Sequence, residues 1–299
     1  MFIIIFIGVL IRKANIITRE QAKTFNRMVF ICCFAPLMFS NLYGKNVSDA
    51  FNVKLLAYAV IVLMVLYAFT VVFVLKIEKS QKTRGAMIQA IYRSNFVIMG
   101  IPIVQNVFGK GELALTAVMI TVIVPLYNIL AVTTLEVFRG SKPDIRDILK
   151  NLAKNPIIVG AVLGIISLIF KVKLPAAIEA PIDMLAEAAT PMALLLLGAN
   201  FDFRSAGREK RNLVICVTAR LIVYPLIALT GAILMGFRGV ALVSLVAMFA
   251  APSAITSFTM AQQMDSDYEL AGNCVIFSSA ISCFTMFLWI FLLKSLGLF

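Results

Sequence analysis

The stretch Arg93-Ser94-Asn95-Phe96-Val97-Ile98-Met99-Gly100-Ile101-Pro102-Ile103-Val104 sets a cation, an amide and a Gly-x-Pro break inside an apolar run. Pro102 lacks a backbone donor and clashes with the preceding turn, so the carbonyls before it lose their helical partners. Gly100 lets the backbone deviate at little steric cost. Inside hydrocarbon, non-helical backbone persists only where it is buried in protein or lines a wet cavity. The freed peptide groups and Asn95 therefore point to a binding site; the alternative is a simple kink. A second such stretch, Ala250-Ala251-Pro252-Ser253-Ala254-Ile255-Thr256-Ser257-Phe258, lies in the matching place of the other half and favours the site.

Charge inside a membrane segment is costly, and it is usually functional or paired. Arg93 is expected about two turns into its span, where it either attracts an anion or pairs with an acid or with carbonyls. Arg220, at a similar depth, is expected to snorkel to the interface. Glu179, Asp183 and Glu187 recur at i, i+4 and i+8 and stripe one helix face, the first two near the outer surface. Glu187 is deeper: it takes part in proton coupling if buried, or else faces water between two domains. Asp265, Asp267 and Glu269 read as a solvated turn with a helix-capping acid.

Composition makes this a polytopic membrane protein. Of 299 residues, 61% are hydrophobic and 14% charged, and the mean hydropathy is +0.97. The net charge of +12 does not point to nucleic acid, because the basic residues sit in short runs between apolar segments. The five cysteines lie in apolar stretches without paired spacing and read as buried small apolar residues, neither disulfides nor ligands. With no histidine in the chain, Ser-His-Asp and Cys-His catalysis, histidine-ligated metals and histidine proton relays are excluded. No metal or cofactor is expected.

Ten candidate spans follow, at about 1–11, 28–43, 53–75, 86–108, 113–138, 156–170, 177–200, 213–235, 240–262 and 271–293. The first is about 16 Å long, short for a hydrocarbon core of about 30 Å, so the start is expected to be truncated or preceded by further residues. It lacks the basic leader and the cleavage site of a signal peptide. Segments 12–27, 76–84, 139–154 and 201–212 hold 18 of the 27 Lys and Arg, against seven on the opposite side. Those loops are therefore expected in the cytoplasm, with both termini outside. In the middle loop Ile145, Ile148, Leu149 and Leu152 recur at helical spacing, as an interfacial helix or a solvated turn.

The middle loop divides the chain into 1–150 and 151–299, two halves of five spans each. An odd number forces the second half to enter the membrane inverted, as in inverted-repeat transporters. Ala35-Pro36-Leu37-Met38 has its counterpart in Thr190-Pro191-Met192-Ala193, and the break at Pro102 in that at Pro252. Two broken helices crossing near the midplane would bring half-helix N-termini onto one point that favours an anionic group such as carboxylate.

These motifs resemble the auxin efflux carrier family of membrane transporters, both its bacterial members and the plant PIN auxin exporters. The resemblance covers nearly the whole chain. It is carried by Asn95 to Pro102 with Phe108-Gly109, by Asn155-Pro156 with Gly160 and Gly164, and by Pro191 to Gly198. Arg220 to Pro225 with Gly236 to Gly239, Ala251 to Gln263, and Asp267 to Ala271 complete it. The middle loop is far shorter than in many PIN proteins.

The resemblance implies a ten-helix fold of the bile-acid symporter kind. Spans 1, 2, 6 and 7 would form a scaffold, and spans 3–5 and 8–10 a transport domain that slides as an elevator. Bacterial relatives are assigned to malonate, malate and similar anions. Asn95, Gly100, Ile101 and Pro102 would meet Ala251, Pro252, Ser253, Thr256 and Ser257 at the substrate, with Arg93, Glu187 and Arg220 as charge or coupling groups. Helix packing is the other role open to Ser253, Thr256 and Ser257. A homodimer and coupling to protons or sodium are also implied. The alternatives are a sodium-coupled symporter of a larger amphipathic anion, a passive channel, and an intramembrane enzyme, for which no nucleophile with a base is evident.

Overall fold

The computed structural model of the chain describes residues 1–44, 52–109, 112–139, 145–201, 207 and 209–299, without the side chains of 145 and 147. Among these the fold is helical, with one isolated antiparallel bridge. The helices are α1 (Phe2–Lys13), α2 (Arg19–Cys32), α3 (Phe34–Ser40), α4 (Val53–Ile77), α5 (Gln81–Tyr92), α6 (Phe96–Phe108) and α7 (Ala114–Val137). They continue as α8 (Ile145–Lys154), α9 (Pro156–Ile169), α10 (Ala176–Asn200) and α11 (Lys210–Thr218), which runs through a π-helical turn, Ala219–Val223, into α12 (Tyr224–Leu234). Last come α13 (Gly239–Phe249), α14 (Thr256–Gln263) and α15 (Tyr268–Ser295).

Among the described residues six helical stretches are long and apolar enough to cross a membrane, or seven if α8 and α9, bent by 63°, count as one span. The expected first, fourth and ninth spans do not count by length: α1 has 12 residues, and the other two are broken into short helices. The second span begins at Arg19, well before the expected 28. Thr18 starts the helix outside the apolar run by a reciprocal cap, its hydroxyl accepting from the Gln21 N–H at 3.2 Å while Gln21 Oε1 accepts from the Thr18 N–H at 2.9 Å. In the middle loop α8 is helical; Leu149 is exposed and Leu152 packs on the core. The side chain of Ile145 lies outside the described residues.

Close approach of small residues sets the packing of α1, α3, α9 and α10. A Cβ on Gly8 would lie 2.1 Å from the Leu195 carbonyl, and one on Gly198 2.0 Å from that of Ile5, so α1 and α10 touch through bare backbone. Gly160 of α9 meets the Ala35 carbonyl of α3 in the same way. α13 packs on α6 and α14 on α15, while α2 reaches α14 through Asn26, whose amide donates to Gln262 Oε1 at 2.7 Å. All five cysteines are free; Cys33, Cys216 and Cys274 are buried as expected, but Cys32 and Cys283 are exposed on their helices.

Candidate functional site

Both broken spans are interrupted at one point, where Ser94 pairs antiparallel with Ser253. The Asn95 N–H donates to the Pro252 carbonyl at 2.8 Å, and the Ala254 N–H to the Arg93 carbonyl at 3.3 Å. The first break is therefore Arg93 to Asn95, several residues before the Gly100-x-Pro102 expected from the sequence. Pro102 lies inside the continuous helix α6. Its missing N–H disturbs one turn, whereas the extended Arg93 (φ −86°, ψ 115°) ends α5 outright. In the other half, Pro252 does sit in the break.

The helix N-terminus of α6 opens onto a cleft of about 60 Å³, lined by polar Asn41, Arg93, Asn95, Tyr127, Asn128 and Thr256 among apolar side chains. The first three N–H groups of a helix, here those of Phe96, Val97 and Ile98, have no intrahelical acceptor. The side chain of Asn95 does not cap them. Asn95 is 6% exposed and its amide nitrogen has no hydrogen-bond partner among the described residues; the same holds for the amide nitrogen of Asn41. Buried donors left unpaired cost free energy comparable to a lost hydrogen bond unless a ligand or water satisfies them.

Arg93 supplies the charge. It is 4% exposed and lies in the break itself, not two turns away in a helix. Its guanidinium donates to Gln89 Oε1 at 3.4 Å, to the Met260 sulfur at 2.8 Å and to Asn128 Oδ1, all neutral groups. Among the described residues no carboxylate pairs with it. Asn128 is oriented in turn by donating to the Val124 carbonyl at 2.9 Å and the Met38 sulfur at 2.8 Å. Three neighbours thus fix the guanidinium while leaving its positive charge uncompensated beside the cleft.

Arg220 does not snorkel. It is 0% exposed, and its side chain donates to five backbone carbonyls at the crossing. The π-helical turn that carries it lies next to Pro225, which cannot donate to the Leu221 carbonyl four residues earlier; Trp289 Nε1 does so instead at 3.1 Å.

Of the expected site residues, Arg93, Asn95 and Thr256 line the cleft. Gly100, buried against the Phe96 ring, and the exposed Ile101 and Pro102 lie further along α6 and do not line it. The Ala251 carbonyl is taken by Arg220 and that of Pro252 by Asn95. Ser253 is packing glue here: its hydroxyl donates to the Ala90 carbonyl at 2.8 Å, and its N–H to Ser278 Oγ at 3.1 Å. Ser257 is buried, its hydroxyl without a partner among the described residues, outside the cleft lining. Glu187 is exposed on α10 and does not line the cleft, whereas Thr190, one turn on, does. Asp183 accepts from Ser40 Oγ at 2.8 Å, and Asp267 caps α15 by accepting from the Leu270 N–H at 3.0 Å. Asn41, Tyr127 and Asn128 are new to the site; the one signal was a single side-chain amide, Asn41 or Asn128, in each of two other apolar spans.

A family model described as a membrane transport protein matches residues 1–147 and 144–290. An uncharacterized transporter of Methanothermobacter thermautotrophicus is 23% identical over 96% of this chain and 94% of its own length. One from Methanocaldococcus jannaschii is 24% identical over the same shares. Auxin efflux carrier component 5 of Arabidopsis thaliana is 24% identical over 90% of this chain and 87% of its own. With nearly the whole length matched and both broken helices in place, the chain belongs to the membrane transport protein family, that of the auxin efflux carriers.

Proposed function

We propose that this protein is a secondary active carrier of small organic acid anions, binding a carboxylate at the crossing of its two broken helices. The observation that carries the reading is the cleft: two buried amide nitrogens without partners, the N-terminal turn of α6 and a buried guanidinium without a carboxylate partner, among the described residues. All are donors, and every one is suited to a carboxylate oxygen. The apolar side chains around them, Leu37, Met38, Val97, Ile98, Val124 and Ile255, would take the remainder of the molecule.

In this reading the chain crosses the cell membrane ten times, as inverted repeats 1–150 and 151–299 with both termini outside. α1 to α3, α9 and α10 form the scaffold, and the remaining spans form a transport domain that moves as an elevator. The scaffold also provides a homodimer contact. On that orientation Asn41, which lines the cleft, is at the outer end of the second span, so the cleft would open outward, with Asn26 hydrogen-bonded to Gln262 on the inner side. Protons or sodium couple transport; for protons, Glu187 near Thr190 is the acid to test. A larger amphipathic anion carried with sodium is the second reading, supported by the apolar lining.

The test is uptake of labelled malonate, malate, lactate and indole-3-acetate into proteoliposomes under imposed proton or sodium gradients. Saturable uptake with counterflow is expected for at least one of them. Failure of all four under every gradient would sink the reading.

A further inference from the structure

α5 and α13 both end at the crossing, and both ends are held by one side chain. Arg220 Nη1 donates to the carbonyls of Ile91 at 3.2 Å and Tyr92 at 2.8 Å, the last two of α5. Nη2 donates to those of Met248 at 3.0 Å and Phe249 at 2.7 Å, the last two of α13, and Nε to Ala251 in the break at 2.8 Å. A guanidinium has five N–H donors, and all five are engaged. Arg220 itself does not line the cleft; it lies behind Tyr127, which does.

Each helix C-terminus carries about −0.5 of an elementary charge, so the two together come to about −1, the opposite of the Arg220 charge. Beyond the breaks, α6 and α14 start with ends of about +0.5 each. The breaks are short, Arg93 to Asn95 and Ala250 to Ile255, and the Ser94 to Ser253 bridge joins them. Four helix ends therefore lie close together in a buried, low-dielectric place. Left uncompensated, the two negative ends would cancel much of the field that the positive ends and Arg93 present to the cleft.

We propose that Arg220 is a positioning residue for anion transport. Without touching the substrate, it neutralises the two helix C-termini and holds both breaks in register, so the cleft keeps its positive potential. This inference rests on the anion-carrier reading of the same crossing.

The experiment compares wild type, Arg220→Met and Arg220→Lys in proteoliposomes, with malonate and monomethyl malonate as probes. The two differ by one charge and little in size. Loss of a buried unit charge acts on each substrate charge separately, so Arg220→Met is expected to raise the KM of the dianion at least about threefold more than that of the monoanion. A residue that only clamped the fold would lower Vmax, or move both KM values equally, and either result overturns the inference. Should Arg220→Met not fold, Arg220→Lys decides, because a buried lysine titrates where arginine does not. From pH 7 to 9 its dianion KM is expected to climb relative to the monoanion while wild type stays level; a constant ratio overturns the inference. If wild type moves neither probe, the carrier reading for these anions falls and this inference falls with it. Wild-type uptake with equal KM shifts removes this inference alone.

Discussion

Arg93 and Arg220 are both buried at one backbone crossing, and their surroundings divide their work. Arg220 is saturated by carbonyls, whereas among the described residues Arg93 meets two amide oxygens and a sulfur, which leaves its charge to act on the cleft. Hydrogen bonds to charged groups contribute about 1.5–3 kcal/mol, so Arg93→Gln should raise the KM for a transported anion at least about tenfold. Saturation kinetics of uptake checks this; an unchanged KM would remove Arg93 from the site. Outside the membrane, Glu78 at the end of α4 shows the same logic for an acid. Burial pushes its carboxyl up, but the N–H groups of Ser80 at 2.9 Å and Lys79 at 2.7 Å, the Asn212 amide at 2.9 Å and nearby Arg211 outweigh this and hold it below the usual carboxylate range. A lowered folded-state pKa contributes stability that is complete above the unfolded value of about 4.3 and is lost as pH falls through the folded one. Wild type should therefore lose more thermal stability than Glu78→Gln between pH 5 and 3, on the order of those values, in a melting experiment.

Among the elements, the contact of α1 with α10 depends on what Gly8 and Gly198 lack. A methyl at Gly198 would sit on the Ile5 carbonyl, and the atom it meets is backbone that cannot swing aside. Overpacking of this kind costs about 1–3 kcal/mol, so Gly198→Ala should melt several degrees below wild type in detergent, and an unchanged Tm would contradict the observed packing. The positions of the long helices were legible in the sequence because apolar length and flanking polarity are local properties. Pro252 was legible for the same reason, since it lies in the break it marks. Pro102 misled: a proline inside a helix and a proline ending one look alike in sequence, and only the pairing of Ser94 with Ser253 shows that the chain opens before Phe96. Asn41 and Asn128 could not be assigned to the site, because they reach it from other spans through packing that no local pattern encodes. The fate of Arg220 was hidden likewise, its acceptors lying up to 129 residues away.

For the whole molecule, the proposed ten-span topology puts the basic segments 12–27, 76–84, 139–154 and 201–212 inside and both ends of the chain outside. A single cysteine put at Leu296 in a cysteine-free background should react with a membrane-impermeant maleimide on intact cells. Labelling only after permeabilisation would invert the orientation. The two broken helices give the molecule its central feature, and the proposed substrate site lies at the first break and not at the Gly-x-Pro that follows it. The most direct measurement is saturable uptake of a transported organic anion by wild type, Asn95→Ala and Pro102→Ala, each checked for folding by its melting temperature. The account predicts that Asn95→Ala loses at least about tenfold in affinity, as for a hydrogen bond to a charged group, while Pro102→Ala stays within about twofold of wild type. Uptake that survives Asn95→Ala but collapses in Pro102→Ala would contradict it.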